Sequence, residues 1–174
     1  QEMLTTLEAL LALARSSSEA IERAPVDLSR LAEEVINTLP AVERVSPLRW
    51  QIEPGLSAWA SESQMRIVLA NLLGNAAKFT RRGAQPRVRV GASTGPDGRV
   101  RVAVEDNGVG FDAGQADRLF TPFSRLHAGD DFHGTGIGLT IVHTIVEAHG
   151  GVIWAENIRP TASQIGKAVR IEDA

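Results

Sequence analysis

Asn71, Asn75 and Lys78 stand at i, i+4 and i+7, so on a helix they share one polar stripe beside the apolar face. Amide oxygens suit a hard cation such as magnesium, and a lysine ammonium is a point charge for phosphate. An ordinary solvated flank would look the same. Asp106-Asn107-Gly108-Val109-Gly110 directly follows an alternating valine run. A carboxylate held at a strand end accepts from an exocyclic amine and repels a carbonyl in its place, which favours adenine over guanine. Asn-Gly is equally a tight-turn signal. Gly134-Thr135-Gly136-Ile137-Gly138-Leu139 opens a helical pattern. Glycines there let backbone N–H groups converge on an anion at the positive end of the helix. Between these stretches lies Phe120-Thr121-Pro122-Phe123, then Arg125. The rings would anchor a mobile lid or pack a loop down, and Arg125 would reach a phosphate. Two common nucleotide fingerprints are excluded. The glycines read G-x-G-x-G after a loop, not G-x-G-x-x-G after a strand, and no G-x-x-x-x-G-K-[ST] occurs.

Hydrophobic periodicity outlines the elements that must hold these residues. A helix from Ser61 to Lys78 carries the polar stripe; Met65, Val68, Leu69, Leu72, Leu73 and Ala76 form its apolar face, and Ser61 with Gln64 spells a capping box. Residues 48–53 and 56–60 read as short strands turning at Pro54-Gly55. Val88/Val90 and Val100/Val102/Val104 alternate about Gly95-Pro96-Asp97-Gly98, which predicts an antiparallel hairpin. Arg87, Arg89, Arg99 and Arg101 then occupy a solvated outer sheet face rather than a nucleic-acid patch. Residues 106–134 are long, Gly- and Asp-rich, and of the kind that carries function. A helix over 137–148 buries Ile137, Ile141, Val142 and Ile145 and stops at His149-Gly150-Gly151. Strands follow over 152–155 and, weakly, 165–171. Upstream, residues 1–22 read as a helix whose stripe of Met3, Leu7, Leu10 and Ala14 asks for a partner helix; Pro25 ends it. A second helix has Asp27 as N-cap and buries Leu28, Leu31, Val35 and Leu39. The predicted fold class is α/β, a two-layer sandwich of a mixed β-sheet with helices on one face, preceded by one long helix.

The 174 residues carry 18 Lys+Arg against 21 Asp+Glu, a net charge of −3, with 43% hydrophobic residues and no Cys. That suffices for one cored domain and a short appendage. The acidic balance disfavours a nucleic-acid binder. Without Cys there is no disulfide framework, thiolate zinc site or Cys nucleophile. No apolar run reaches the roughly 18 residues of a membrane span, and no signal-peptide pattern opens the chain. A soluble intracellular domain is expected.

In this order the four features resemble the N, G1, F and G2 boxes of sensor histidine kinases from two-component systems. The stretches are "NLLGNAAKF", "DNGVG", "FTPF" and "GTGIGL", and "HGGVIWAEN" is similar to the strand that follows in that family. "FSRLHAGDDFHGTGIGL" resembles kinases linked to phytochrome or PAS sensor modules. The resemblance covers about residues 25–157. It implies a histidine-kinase-type ATPase fold over residues 25–174 that binds magnesium-ATP under a flexible lid. Residues 1–24 would be the C-terminal helix of an incomplete dimerisation and phosphotransfer hairpin. By the same resemblance Asp106 binds the adenine amino group, while Gly108 and Gly110 shape the purine pocket. Asn75, together with Asn71, engages magnesium and phosphates, Lys78 contacts phosphate, and Phe79 lines or stacks on the nucleotide. Gly134, Thr135, Gly136, Gly138 and Leu139 belong to the lid end and helix start around the phosphates. Phe123 is implied as a cofactor-binding residue of the lid, and Arg125 as a γ-phosphate contact. The implied activity passes the γ-phosphoryl of ATP to a His, for relay to a response-regulator receiver domain. The implied setting is a cytoplasmic homodimer joined through the N-terminal helix, whether or not the full protein is membrane-anchored.

The chain departs from the family in two places. No His followed by an acidic residue precedes Asn71, so the phosphoacceptor is expected on a helix outside these residues. His127, His133, His143 and His149 fall within or after the lid and form no metal pair at helical spacing, so surface or lid roles are expected. The family's final strand is also more apolar and aromatic than residues 166–171. Three other readings stay open. One is a nucleotide-gated binding module that signals by lid order. Another is an ATPase of the gyrase and heat-shock-chaperone type, which places a Glu general base where Asn71 stands. The third is a serine kinase of the anti-sigma kind.

Overall fold

The computed structural model describes residues 21–40, 48–80, 85–95, 100–124, 135–161 and 164–172. The stripe at Met3, Leu7, Leu10 and Ala14 lies outside them, as do the turn at 96–98, Arg99, Arg125, His127, His133 and Gly134. Strand β1 (Ala24–Asp27) runs into helix α1 (Leu28–Thr38), and Asp27 caps it by accepting the Arg30 N–H at 2.9 Å. Leu28, Leu31, Val35 and Leu39 are buried as their spacing requires.

Strands β2 (Arg49–Ile52) and β3 (Ser57–Ala60) flank Pro54-Gly55 but do not pair with each other. β3 joins β1 in a two-stranded antiparallel sheet, with Pro25 opposite Trp59. β2 joins the main sheet, parallel to β4 (Arg87–Thr94). The turn between them carries the chain from one sheet to the other and is held by α1. The Ser29 hydroxyl donates to the Glu53 carbonyl at 2.7 Å and accepts the Leu56 N–H at 2.9 Å. The Leu28 N–H adds a bond to the Leu56 carbonyl at 2.8 Å.

β4 pairs antiparallel with β5 (Val100–Asp106), from Val88 opposite Asp106 to Thr94 opposite Val100, as the alternation predicts. The last two strands, β6 (Val152–Thr161) and β7 (Gln164–Glu172), complete a five-stranded mixed sheet of order β2-β4-β5-β7-β6. The weak final strand is thus an inner one, between β5 and β6, and β6 is the edge. Helices α2 (Glu62–Thr80) and α3 (Gly138–Ala148) pack with α1 on one face, where Val88, Val90, Val104 and Ile153 share their core. On the opposite face Arg89 sits between Glu53 and Glu105, and Arg101 lies 5.7 Å from the Trp154 ring centroid. That is the solvated face expected of the arginines.

Two local expectations need correction. Ser61 and Gln64 do not form a capping box. The Ser61 hydroxyl faces that of Ser63 at 3.1 Å, its N–H donates to His149 Nε2 at 3.2 Å, and Gln64 Oε1 is buried without a partner. His149 accordingly has neither a surface nor a lid role: it is 7% exposed, and its Nδ1 lies 2.8 Å from the Ile145 carbonyl. Nδ1 therefore carries the proton and leaves Nε2 as the acceptor. Past His149 the chain turns at Gly150, φ +81°, and the N–H groups of Gly150 and Gly151 close on the carbonyls of Glu147 and Val146.

Candidate functional site

Helices α2 and α3 run antiparallel but differ in length, 19 residues against 11. The C-terminal end of α3 meets the start of α2 through His149 and Ser61. Its N-terminal end meets α2 at Asn71, whose Oδ1 lies 2.5 Å from where a Cβ on Gly138 would stand. Everything in α2 after Asn71 therefore overhangs α3. At about 1.5 Å per residue that overhang is roughly 13 Å long, and it carries Asn75, Lys78 and Phe79.

Asn75 and Asp106 line one cleft under this overhang, together with Leu72, Val104, Leu119 and Leu139. Its empty space, open mouth included, is about 340 Å³. Asp106 ends β5 only 6% exposed, and its Oδ1 accepts the Gly108 N–H at 2.9 Å, which orients the carboxylate. Asn107 locks the turn from outside: its Oδ1 accepts the Arg87 N–H at 2.7 Å and its Nδ2 donates to the Gln85 carbonyl at 2.8 Å. Gly108 packs on the end of α2, where a Cβ would stand 2.5 Å from the Phe79 carbonyl oxygen. Gly110 is buried at φ +64°, a conformation that glycine adopts without strain.

The other expected residues are placed unevenly. Asn71 donates from Nδ2 to the Ile67 carbonyl at 2.9 Å, so its oxygen is turned to the start of α3. Lys78 Nζ lies 4.9 Å from the Phe79 ring centroid. Gly136, at φ +72°, packs on the backbone of Phe123 and Ser124 and brings two distant motifs together; its carbonyl accepts the Phe123 N–H at 3.1 Å. The Phe123 ring, however, is 65% exposed and does not line the cleft. Thr135 is half-buried beside Gly136. Arg125 and Gly134 lie outside the described residues. His143 is partly exposed on α3, with Nδ1 3.1 Å from Glu147 and its ring 5.7 Å from that of Phe120. Three residues position the site through partners that no spacing reveals: Asn107, read only as a turn signal, His149, read only as a helix stop with a surface or lid role, and Asn157, which bonds the backbone of Phe111.

A strand-end carboxylate, an amide beside it and a glycine-opened helix converge on one cleft. That donor set can take an amine at one end and a cation with its anion at the other. Residues 60–172 match the family described as Histidine kinase-, DNA gyrase B-, and HSP90-like ATPase, and the chain belongs to that family. Its relatives make this the ATPase domain of the sensor-histidine-kinase kind. It is 32% identical to cyanobacterial phytochrome A of a Nostoc species over 157 residues, 89% of this chain and 20% of that protein. It is 33% identical to sensor protein kinase PmrB of Pseudomonas aeruginosa over 164 residues, 88% of this chain and 32% of that one. The chain thus spans between a fifth and a third of these relatives. The mycobacterial sensor histidine kinase MprB superposes with a TM-score of 0.73 at 25% identity, covering 86% of this chain and 97% of its own. Full-length ShkA, solved in complex with AMPPNP, gives 0.73 at 31% identity, covering 98% of this chain and 35% of its own. No described helix is long and apolar enough to cross a membrane.

Proposed function

We propose that this domain binds magnesium-ATP in the cleft under the α2 overhang and passes its γ-phosphoryl group to a histidine on a separate helix. The phosphohistidine then serves a response-regulator receiver domain. One observation carries the reading: Asn75, Asp106 and Leu139, from three separate motifs, line the same cleft. Asp106 accepts from the exocyclic amine of adenine, and its bond from Gly108 holds it in place for this. Asn75 is the residue that would hold magnesium, with Asn71 beside it and Lys78 near the phosphates; when bound, the cation neutralises phosphate charge. Gly138 and the α3 N-terminus face the phosphates with backbone N–H groups. Arg125 and Phe123 belong to the lid that closes on this assembly. Related proteins lend support, since ThkA has been solved in complex with the response regulator TrrA.

Asn71 cannot take a proton from water, and a general base is typically worth about 10²- to 10⁴-fold. Free hydrolysis is therefore slow, which suits an enzyme that must deliver phosphoryl to protein. None of the chain's histidines precedes Asn71, and transfer needs a nucleophile in line at near-contact distance. With radiolabelled ATP the purified chain stays unlabelled on His. A His-bearing dimerisation helix, added in trans or by fusion, acquires an acid-labile, base-stable label. Self-labelling on His, or no label on the added helix, contradicts the proposal. A hydroxyl-linked label on a partner favours the serine-kinase reading.

A further inference from the structure

The segment that leaves the Asp106 turn is pinned by a residue outside all four motifs. The Phe111 N–H donates to Asn157 Oδ1 at 3.2 Å, and Asn157 Nδ2 donates to the Phe111 carbonyl at 2.5 Å. We infer that Asn157 is a positioning residue for the nucleotide cleft, acting through Phe111 to fix where the lid begins. This role rests on the nucleotide site proposed above.

One amide that takes both the N–H and the C=O of a residue copies the two-point contact of an antiparallel strand pair. It fixes Phe111 in rotation as well as position. Gly110, at φ +64°, sets the direction of entry just before it. Asp112 just after it caps a 3-10 helix (Ala113–Phe120) by accepting the Gly114 N–H at 2.9 Å. That short helix brings Leu119 to the cleft. At its far end the Phe120 carbonyl accepts from the Thr140 hydroxyl of α3 at 3.1 Å. Residues 111–120 are therefore tied to β6 at one end and to α3 at the other. β6 itself brings Ala155 to the same cleft, two residues before Asn157. Releasing the Asn157 bonds frees the end that sets how far Leu119 stands from Asp106.

The test combines amide hydrogen exchange without nucleotide and calorimetric titration with Mg-ADP, on the whole chain and on two variants. Asn157→Ala removes both bonds. Asn157→Asp keeps an acceptor for the Phe111 N–H but sets oxygen against the Phe111 carbonyl. In both variants exchange over residues 112–120 speeds up while α1 keeps wild-type protection, and Mg-ADP binds about tenfold more weakly, the scale of one or two lost hydrogen bonds. Only the Ala variant also exposes the Phe111 amide, and if it fails to fold, the Asp variant carries the comparison. Wild-type exchange over 112–120, wild-type affinity, or loosening spread equally into α1 overturns the role. A wild-type chain that binds no Mg-ADP overturns the proposed function and this role with it. The exchange data then still report whether the clamp holds.

Discussion

At the residue scale the site rests on close approaches that only small side chains permit. A Cβ on Gly138 would meet Asn71 Oδ1 at 2.5 Å, and one on Gly108 would meet the Phe79 carbonyl at the same distance. The first obstacle is a side-chain amide that can be removed; the second is backbone. Gly138→Ala is expected to destabilise the domain by about 1–3 kcal/mol through overpacking, and Asn71→Ala in the same chain to recover most of that loss. Urea unfolding of the two single variants and the double variant measures the coupling; simple additivity would sink the assigned contact. Motif residues were legible because their meaning is local: Asp106 bonds Gly108 two positions on, and Asn71 bonds Ile67 four positions back. The distant partners of the residues that hold them were not. Asn107 reaches back 20 positions to Arg87, Asn157 reaches 46 to Phe111, and His149 reaches 88 to Ser61. No spacing rule spans such distances.

At the element scale the helices followed their periodicity, since an apolar face must be buried wherever it lands. The strands read over 48–53 and 56–60 form, trimmed to Arg49–Ile52 and Ser57–Ala60, but their partners are not those of a hairpin, because Ser29 and Leu28 of a preceding helix decide which sheet each strand enters. Ser29→Ala leaves the buried Leu56 N–H without its acceptor and is expected to cost about 1–3 kcal/mol in urea unfolding. An undiminished midpoint would show that the sheets part company for another reason. The α1–α2 contact carries Arg30, Glu34, Glu62 and Arg66 in one cluster; Arg66 Nη2 lies 2.8 Å from Glu34 and 3.2 Å from Glu62. The hydrogen bond from Arg66 holds the Glu34 carboxyl below its ordinary range; desolvation opposes it, and the charges of Arg30 and Arg66 add to the lowering. A depressed carboxylate stabilises the fold above its ordinary range, and that contribution disappears as pH falls through the lowered value. These side chains are exposed, so the effect is small. Glu34→Gln should be less stable than wild type at neutral pH and equal to it in acid. A gap that persists in acid would mean packing rather than charge.

At the scale of the whole molecule, one mismatch of lengths makes the site. α2 and α3 are joined by the Ser61–His149 hydrogen bond and approach closely again at Asn71 and Gly138, and α2 continues past that second meeting point. The main sheet brings Asp106 beneath that extension, at the inner end of β5 beside β4 and β7. The sandwich follows from the order of elements, whereas the inner placement of the polar final strand does not. Backbone pairing on both sides of β7 supplies what its side-chain pattern lacks. The central claim is an adenine nucleotide held by Asp106 in this cleft, and calorimetric titration of the chain with ATP and GTP in magnesium, repeated on Asp106→Asn, tests it most directly. Wild type is expected to bind ATP in preference to GTP, and the variant to lose on the order of 1.5–3 kcal/mol, tenfold or more in ATP affinity, as a charged acceptor is replaced. Undiminished ATP affinity in Asp106→Asn, or a wild-type chain indifferent to the base, would contradict it.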